Sequence, residues 1–319
     1  IPEGTSKVVK LSQHLARVTA ALLLLSVSGV GEAREVLLYR GDPLDIAGIE
    51  VSAWGDGSAR ESQEPGVTGT RSIEFTTNGL FSGALLTWKN PVEIADPSSI
   101  SRFDYLLLRL RFNQTTRLGI EEPNLAPNTR GEYRPLPMDY YGNYFGEDLP
   151  TVPKVRRIRV ILYSADGRTV SHSVPVVHKT TDEDNWFAVA LPLAGFGLTA
   201  QSNGFPLRRM AISADFPDKI RIGEIRVTTD DSPIYVESLD DQDVGTQDII
   251  VLVGSAEAGI TSLVYSWDFD DKDGVQDDAR GRVVQVVYRR TGTYTVTLTV
   301  RDPDGIKQPA TAKAQITVN

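Results

Sequence analysis

The chain has no cysteine among its 319 residues. Disulfides, thiolate nucleophiles and cysteine metal sites are therefore excluded. Histidine is almost as scarce, with only His14, His172 and His178. His172 and His178 share strand parity but would stand about 20 Å apart in an extended chain, too far for one zinc ion, so both read as surface histidines. There is no G-x-S-x-G nucleophile turn and no Gly-rich phosphate loop; Gly55-Asp56-Gly57 is an ordinary turn. Positive charge is also short. The 33 Lys and Arg face 42 Asp and Glu, a net charge of −9. Such a surface repels phosphate backbones, so nucleic acid is not an expected partner. After the first 33 residues no apolar run could span a membrane, and no window carries convincing helical spacing. Spacing alone cannot exclude a pair of acting carboxylates, but no other catalytic constellation is present, and the expectation is a protein that is not an enzyme.

Residues 1–33 have a different character. Lys7, Lys10 and Arg17 precede the apolar run Thr19–Val30, and Gly31-Glu32-Ala33 follows with small residues at its ends. A basic stretch, a short apolar stretch and a small-x-small site describe a secretory signal peptide. The run is shorter than the roughly 20 residues a membrane span needs. The mature chain is expected to begin near Arg34 and to work at the cell surface or as a secreted protein.

From Glu35 onward the pattern is strand after strand. Ile49–Trp54, Ser72–Thr76, Tyr105–Phe112, Val155–Tyr163, Asn185–Leu193, Arg209–Ala214 and Lys219–Val227 are short runs bounded by Gly, Asp, Pro and Asn. Ser164-Ala165-Asp166-Gly167 reads as a hairpin turn into Thr169–Val177. Trp186 is expected to be buried from its place in an alternating run. Many short strands separated by turn signals mean a sandwich or barrel, so the fold class is all-β. Near the end, Tyr294, Val296, Leu298 and Val300 fall on one face and Thr293, Thr295, Thr297 and Thr299 on the other, the signature of a half-buried strand.

Two resemblances organise this reading. Trp267-Asp268-Phe269, Tyr288 and Gly292-Thr293-Tyr294 running into Thr297-Leu298-Thr299-Val300 and Asp302 resemble the PKD domain, an immunoglobulin-like β-sandwich common in secreted and cell-surface proteins. The likeness covers residues 234–319 and implies a spacer or adhesion module. It departs from the family at Asp270-Asp271-Lys272-Asp273-Gly274, which is longer and more acidic than the usual turn. Residues 34–229 resemble the galactose-binding-like jelly roll of carbohydrate-binding modules, on Phe103-Asp104-Tyr105-Leu106, on Trp186–Leu193 followed by Phe196, and on Ile220–Val227. A jelly roll with no sugar-binding role is the alternative. Thr228–Pro233 is short and polar, and its residues 230–233 read as a semi-rigid linker.

Two segments hold candidate site residues. Asn113–Pro153 is far longer than the roughly 15 residues beyond which structureless loops become uncommon. It carries Tyr133, Tyr140, Tyr141, Tyr144 and Phe145, whose rings could stack on sugar; the other reading is a flap packed on a sheet. The second segment holds Asp268, Asp270, Asp271, Asp273, Asp277 and Asp278. The first four are candidate calcium ligands, although the EF-hand pattern fails because Phe269 and Arg280 would occupy its first and twelfth positions. The other reading is a solvated turn held by backbone hydrogen bonds.

Taken together, the residues and the resemblances describe an exported, two-unit, non-catalytic protein binding polysaccharide or cell-surface glycan. One alternative is a structural subunit of a surface layer, filament or adhesive assembly, its partners being copies of itself or other surface proteins. A second is an accessory part of a larger secreted glycosidase or protease.

Overall fold

The alternating stretches fold as extended strands, one face against an apolar layer and the other toward polar partners or solvent. The computed structural model describes residues 34–117, 133–136, 151–176 and 185–319. The expected leader lies outside these residues, as do Tyr140, Tyr141, Tyr144, Phe145 and His178. Among the described residues no helix is long and apolar enough to cross a membrane.

The first unit is built from β1 (Glu35–Tyr39), β2 (Ile49–Trp54), β3 (Ser58–Ser62), β4 (Ser72–Thr77), β5 (Gly83–Glu93), β6 (Asp104–Phe112), β7 (Thr115–Arg117), β9 (Thr151–Pro153), β10 (Arg157–Ser164), β11 (Thr169–Pro175), β12 (Phe187–Pro192), β13 (Pro206–Ala214) and β14 (Asp218–Thr229). One sheet runs β12-β6-β14-β4-β3, with β1 also on β14; the other runs β11-β10-β13-β5-β2. Their facing sides make one core. Leu106, Leu108 and Leu110 of β6 and Ile220, Ile222, Ile225 and Val227 of β14 lie opposite Val160 and Leu162 of β10, Met210 and Ile212 of β13, and Leu86 and Trp88 of β5. Burying each such side chain contributes about 1.5–3 kcal/mol. The Trp88 indole N–H donates to the Leu38 carbonyl at 3.2 Å, so its polar end is satisfied inside the core.

One irregularity in β14 decides what lies on the outer face. Ile222 pairs with Leu110 and Glu224 with Arg109, which leaves Gly223 as an extra, bulged residue. The slip keeps both Ile222 and Ile225 on the inner face. A Cβ on Gly223 would stand 2.8 Å from the Trp186 ring, so only glycine admits the indole there. Trp186 is buried as alternation predicts, but on the outer side of the sheet, with the Arg111 guanidinium 4.8 Å from its ring centroid.

The second unit contains β15 (Tyr235–Val236), β16 (Gln242–Val244), β17 (Ile249–Val253), β18 (Ala256–Glu257), β19 (Val264–Asp268), β20 (Ala279–Arg280), β21 (Val283–Tyr288), β22 (Gly292–Arg301) and β23 (Ala310–Val318). Its larger sheet runs β16-β23-β22-β19-β20. Val296, Leu298 and Val300 of β22 are fully buried against Trp267, Phe269 and Ile316. The smaller sheet runs β17-β21-β8, and β8 (Tyr133–Leu136) is not local: it comes from the long loop after β7. The candidate loop therefore contributes a strand to the C-terminal sandwich.

The two units meet across an apolar seam. Tyr105, Leu107 and Ala190 on the outer face of the first unit pack with Ile260 and Ile306 of the second. At its rim Lys307 Nζ lies 2.9 Å from Asp230 Oδ2 and donates to the Ala258 carbonyl at 2.9 Å. Both ionic side chains are buried. Gly259, at φ 57°, lets the chain pass here, since a Cβ would stand 2.2 Å from the Asp230 carboxylate. His172 corrects its expectation. It is no surface histidine: its side chain is 17% exposed, with Nε2 2.9 Å from Asp304 Oδ1 across the seam.

Candidate functional site

Tyr133 was a candidate sugar contact, with a flap packed on a sheet as the other reading, and the structure has it packed. It is 2% exposed, set edge-on to Phe269 with centroids 5.7 Å apart and 6.0 Å from Tyr288. A ring so enclosed cannot stack on a sugar. Its hydroxyl donates to Asp273 Oδ2 at 2.6 Å and lies 2.7 Å from Asp278 Oδ1. One hydroxyl proton serves one carboxylate at a time. Burial raises Asp278 above the ordinary carboxylate range. Burial, with both carboxylates beside it, pushes the Tyr133 hydroxyl far up as well.

The rest of the acidic segment is a series of turns that close on themselves. Asp268 Oδ1 accepts from the Asp270 N–H at 3.0 Å, Asp270 Oδ1 from Lys272 at 3.2 Å, and Asp273 Oδ1 from Val275 at 2.7 Å. Asp278 Oδ2 accepts from Phe269 at 2.7 Å, and Asp277 pairs with Arg280. Asp271 lies 3.9 Å from Lys313. Among the described residues no three His, Asp or Glu are grouped so as to hold a metal ion. The geometry is that of Asx turns, each short side chain replacing a backbone acceptor.

Beside this turn, Ser266, Asp268, Asp271, Thr297, Thr299 and Lys313 line an open polar groove of about 590 Å³ on the outer face of the larger sheet. Burial pushes Asp268 up to about 6, and the Asp278, Asp273 and Asp271 carboxylates add to the rise. The sign follows from proton counting. Between the ordinary value of 3.8 and about 6 the folded state keeps a proton that the unfolded state has released, so stability falls as pH rises through this window. Asp268→Asn keeps the oxygen that accepts from Asp270 and removes the titration. The variant is expected to be the more stable at pH 7, with the urea midpoints of the two proteins converging near pH 4. Parallel pH profiles would contradict the assignment.

A different surface carries one fully open aromatic ring, Phe81, and two half-buried ones, Trp54 and Tyr163. On the outer face of the five-stranded sheet of the first unit, Trp54 pairs with Gly83 and Tyr163 with Arg209. Phe81, in the turn before β5, is 75% exposed, and the Arg159 guanidinium lies 5.1 Å from its centroid. Arg209 lies 4.9 Å from the Tyr163 ring. The turn is fixed onto the sheet by the Ser213 hydroxyl, which donates to the Leu80 carbonyl at 2.9 Å. Spacing did not reveal this group, since its members come from four separate stretches. The signal available was a Phe inside a Gly-rich turn, where no core is within reach.

Residues 230–318 match the family model of the PKD domain. This agrees with the resemblance read from Trp267-Asp268-Phe269 and Gly292–Val300, and places Asp230 and the linker inside the matched range. No curated protein matches the chain. Among solved structures, the chain is similar to one titled as the structural analysis of an exo-beta-agarase, at 8% identity and a TM-score of 0.28. The match covers 57% of this chain and 23% of that one. A similarity of that size carries no argument about fold or activity.

Proposed function

We propose that this is an extracytoplasmic, non-catalytic protein that binds polysaccharide or a cell-surface glycan through its first unit, with the PKD domain as spacer and contact module. The observation that carries this reading is the outer sheet face bearing exposed Phe81 with Arg159 against its ring, in the row of half-buried Trp54, and half-buried Tyr163 with Arg209 four residues further along the strands. The apolar side of a sugar ring stacks on such rings, while guanidinium N–H groups donate to its hydroxyls. Tyr140, Tyr141, Tyr144 and Phe145 remain candidate contacts for the same ligand class. The basic and apolar patterning of residues 7–30 and the PKD match support export. Calcium has no part in this reading, because the acidic side chains are engaged in turns.

The rival reading, assembly through sheet edges, meets an obstacle at β8. Pro135 has no N–H to donate, and a proline-bearing strand ends a sheet rather than extending it. The same platform would also serve an accessory part of a larger secreted hydrolase.

Affinity electrophoresis of the full chain through gels containing single polysaccharides tests the platform. Phe81→Ala is expected to reduce retention about two- to tenfold, the range of one aromatic contact. The melting temperature should barely move, because a ring 75% exposed packs little in the fold. Unchanged retention would remove Phe81 from the site.

A further inference from the structure

The acceptor edge of β21 is completed by a strand foreign to its own sandwich. The chain neighbours of β21, β20 and β22, both lie in the other sheet. The strand that pairs with it is β8, with Tyr133 opposite Tyr288, Arg134 opposite Val287, Pro135 opposite Val286 and Leu136 opposite Gln285. Tyr133 precedes its partner Asp273 by 140 residues. Without β8, the smaller sheet would keep two strands and present an open edge beside a pocket lined by Phe269, Tyr288, Asp273 and Asp278.

Such an arrangement has the parts of a peptide-recognition site. A backbone ladder supplies sequence-independent hydrogen bonds, and one deep side-chain pocket supplies selectivity. The pocket reads a tyrosine at both ends: aromatic rings meet its ring, and two carboxylates meet its hydroxyl. A phenylalanine would leave buried Asp278 and partly buried Asp273 without that partner. The proline two positions on cannot pair outward, so the bound strand closes the edge instead of passing it on. The covalent link to the first unit raises the local concentration of the strand at its site.

We propose that the β21 edge and its tyrosine pocket form a peptide-binding site, filled in cis by residues 133–136. Its ligand class is an extended segment with tyrosine at the first position and proline at the third. The identical segment of a second copy of this chain meets that requirement in trans.

The test uses the full chain carrying Tyr133→Ala, which vacates the pocket, and a fluorescent peptide with the sequence of residues 130–139. The peptide is expected to bind the variant saturably and to raise its melting temperature by mass action. It should bind the unsubstituted chain about tenfold or more weakly, since that site is already filled, and its Tyr→Phe form should lose about tenfold in affinity for the variant. If Tyr133→Ala does not hold its fold alone, the readout is recovery of the native near-UV circular dichroism on adding peptide. Absence of both binding and recovery would overturn the proposal. So would equal binding to the variant and the unsubstituted chain, or equal binding of the tyrosine and phenylalanine peptides.

Discussion

Tyr133→Ala is expected to lower the unfolding free energy by about 3–5 kcal/mol, the range for emptying a large aromatic site in a core. The ring is 2% exposed and contacts Phe269 and Tyr288. Truncation leaves a cavity there and strips Asp273 and Asp278 of their shared hydroxyl. Domain stabilities are typically about 5–15 kcal/mol, so one substitution in a short edge strand would remove a large part of the total. Tyr133→Phe separates the two contributions: it keeps the ring and loses only the hydroxyl, at about 1–3 kcal/mol. Urea denaturation of the three proteins measures both steps. A Tyr133→Ala protein as stable as the parent would mean that the ring is exposed, as a sugar platform requires.

The second large effect is expected at the seam. Lys307→Met keeps most of the side-chain volume but leaves Asp230 buried without its cation. Removing one member of a buried pair costs about 3–5 kcal/mol, mostly through the stranded charge. Burial alone would raise Asp230; the Lys307 ammonium and the hydrogen bonds from Ser232 and Ile260 outweigh it and hold the carboxyl below its ordinary value. A carboxyl lowered on folding stabilises above its unfolded pKa, and that contribution is lost as pH falls through the lower, folded value. The lysine defect should therefore be full at neutral pH and shrink in acid. Adding Asp230→Asn to Lys307→Met should recover part of the loss, because no charge is then stranded. A single-mutant defect below about 1 kcal/mol, the level of an exposed pair, would show that the seam opens in solution.

Local chemistry explains which features were legible in the sequence. The face assignment of β22 follows from strict alternation, and its apolar residues are the buried ones. Turns such as Ser164–Gly167 follow from residue types whose backbone preferences act within a few bonds. The β14 bulge was visible only as a break in period between Ile222 and Ile225, and its reason, the Trp186 ring over Gly223, lies in another strand. The destination of Tyr133 was not legible, because nothing local marks a short proline-bearing segment as a strand for a sheet far along the chain. The Asp268–Asp278 run left two readings open for a related reason. Metal ligands and turn-forming carboxylates are the same residue types at similar spacing, and only the backbone path tells them apart. His172 looked exposed for want of any sign that a second unit would cover its strand.

The glycan-binding claim is tested most directly by applying the chain from Arg34 to Asn319 to a broad glycan array, beside a Trp54→Ala/Phe81→Ala/Tyr163→Ala variant of matched melting temperature. The expected result is selective binding to at least one polysaccharide class by the parent and its loss in the variant. Failure of the parent to bind any glycan, or identical binding by both proteins, would contradict the account.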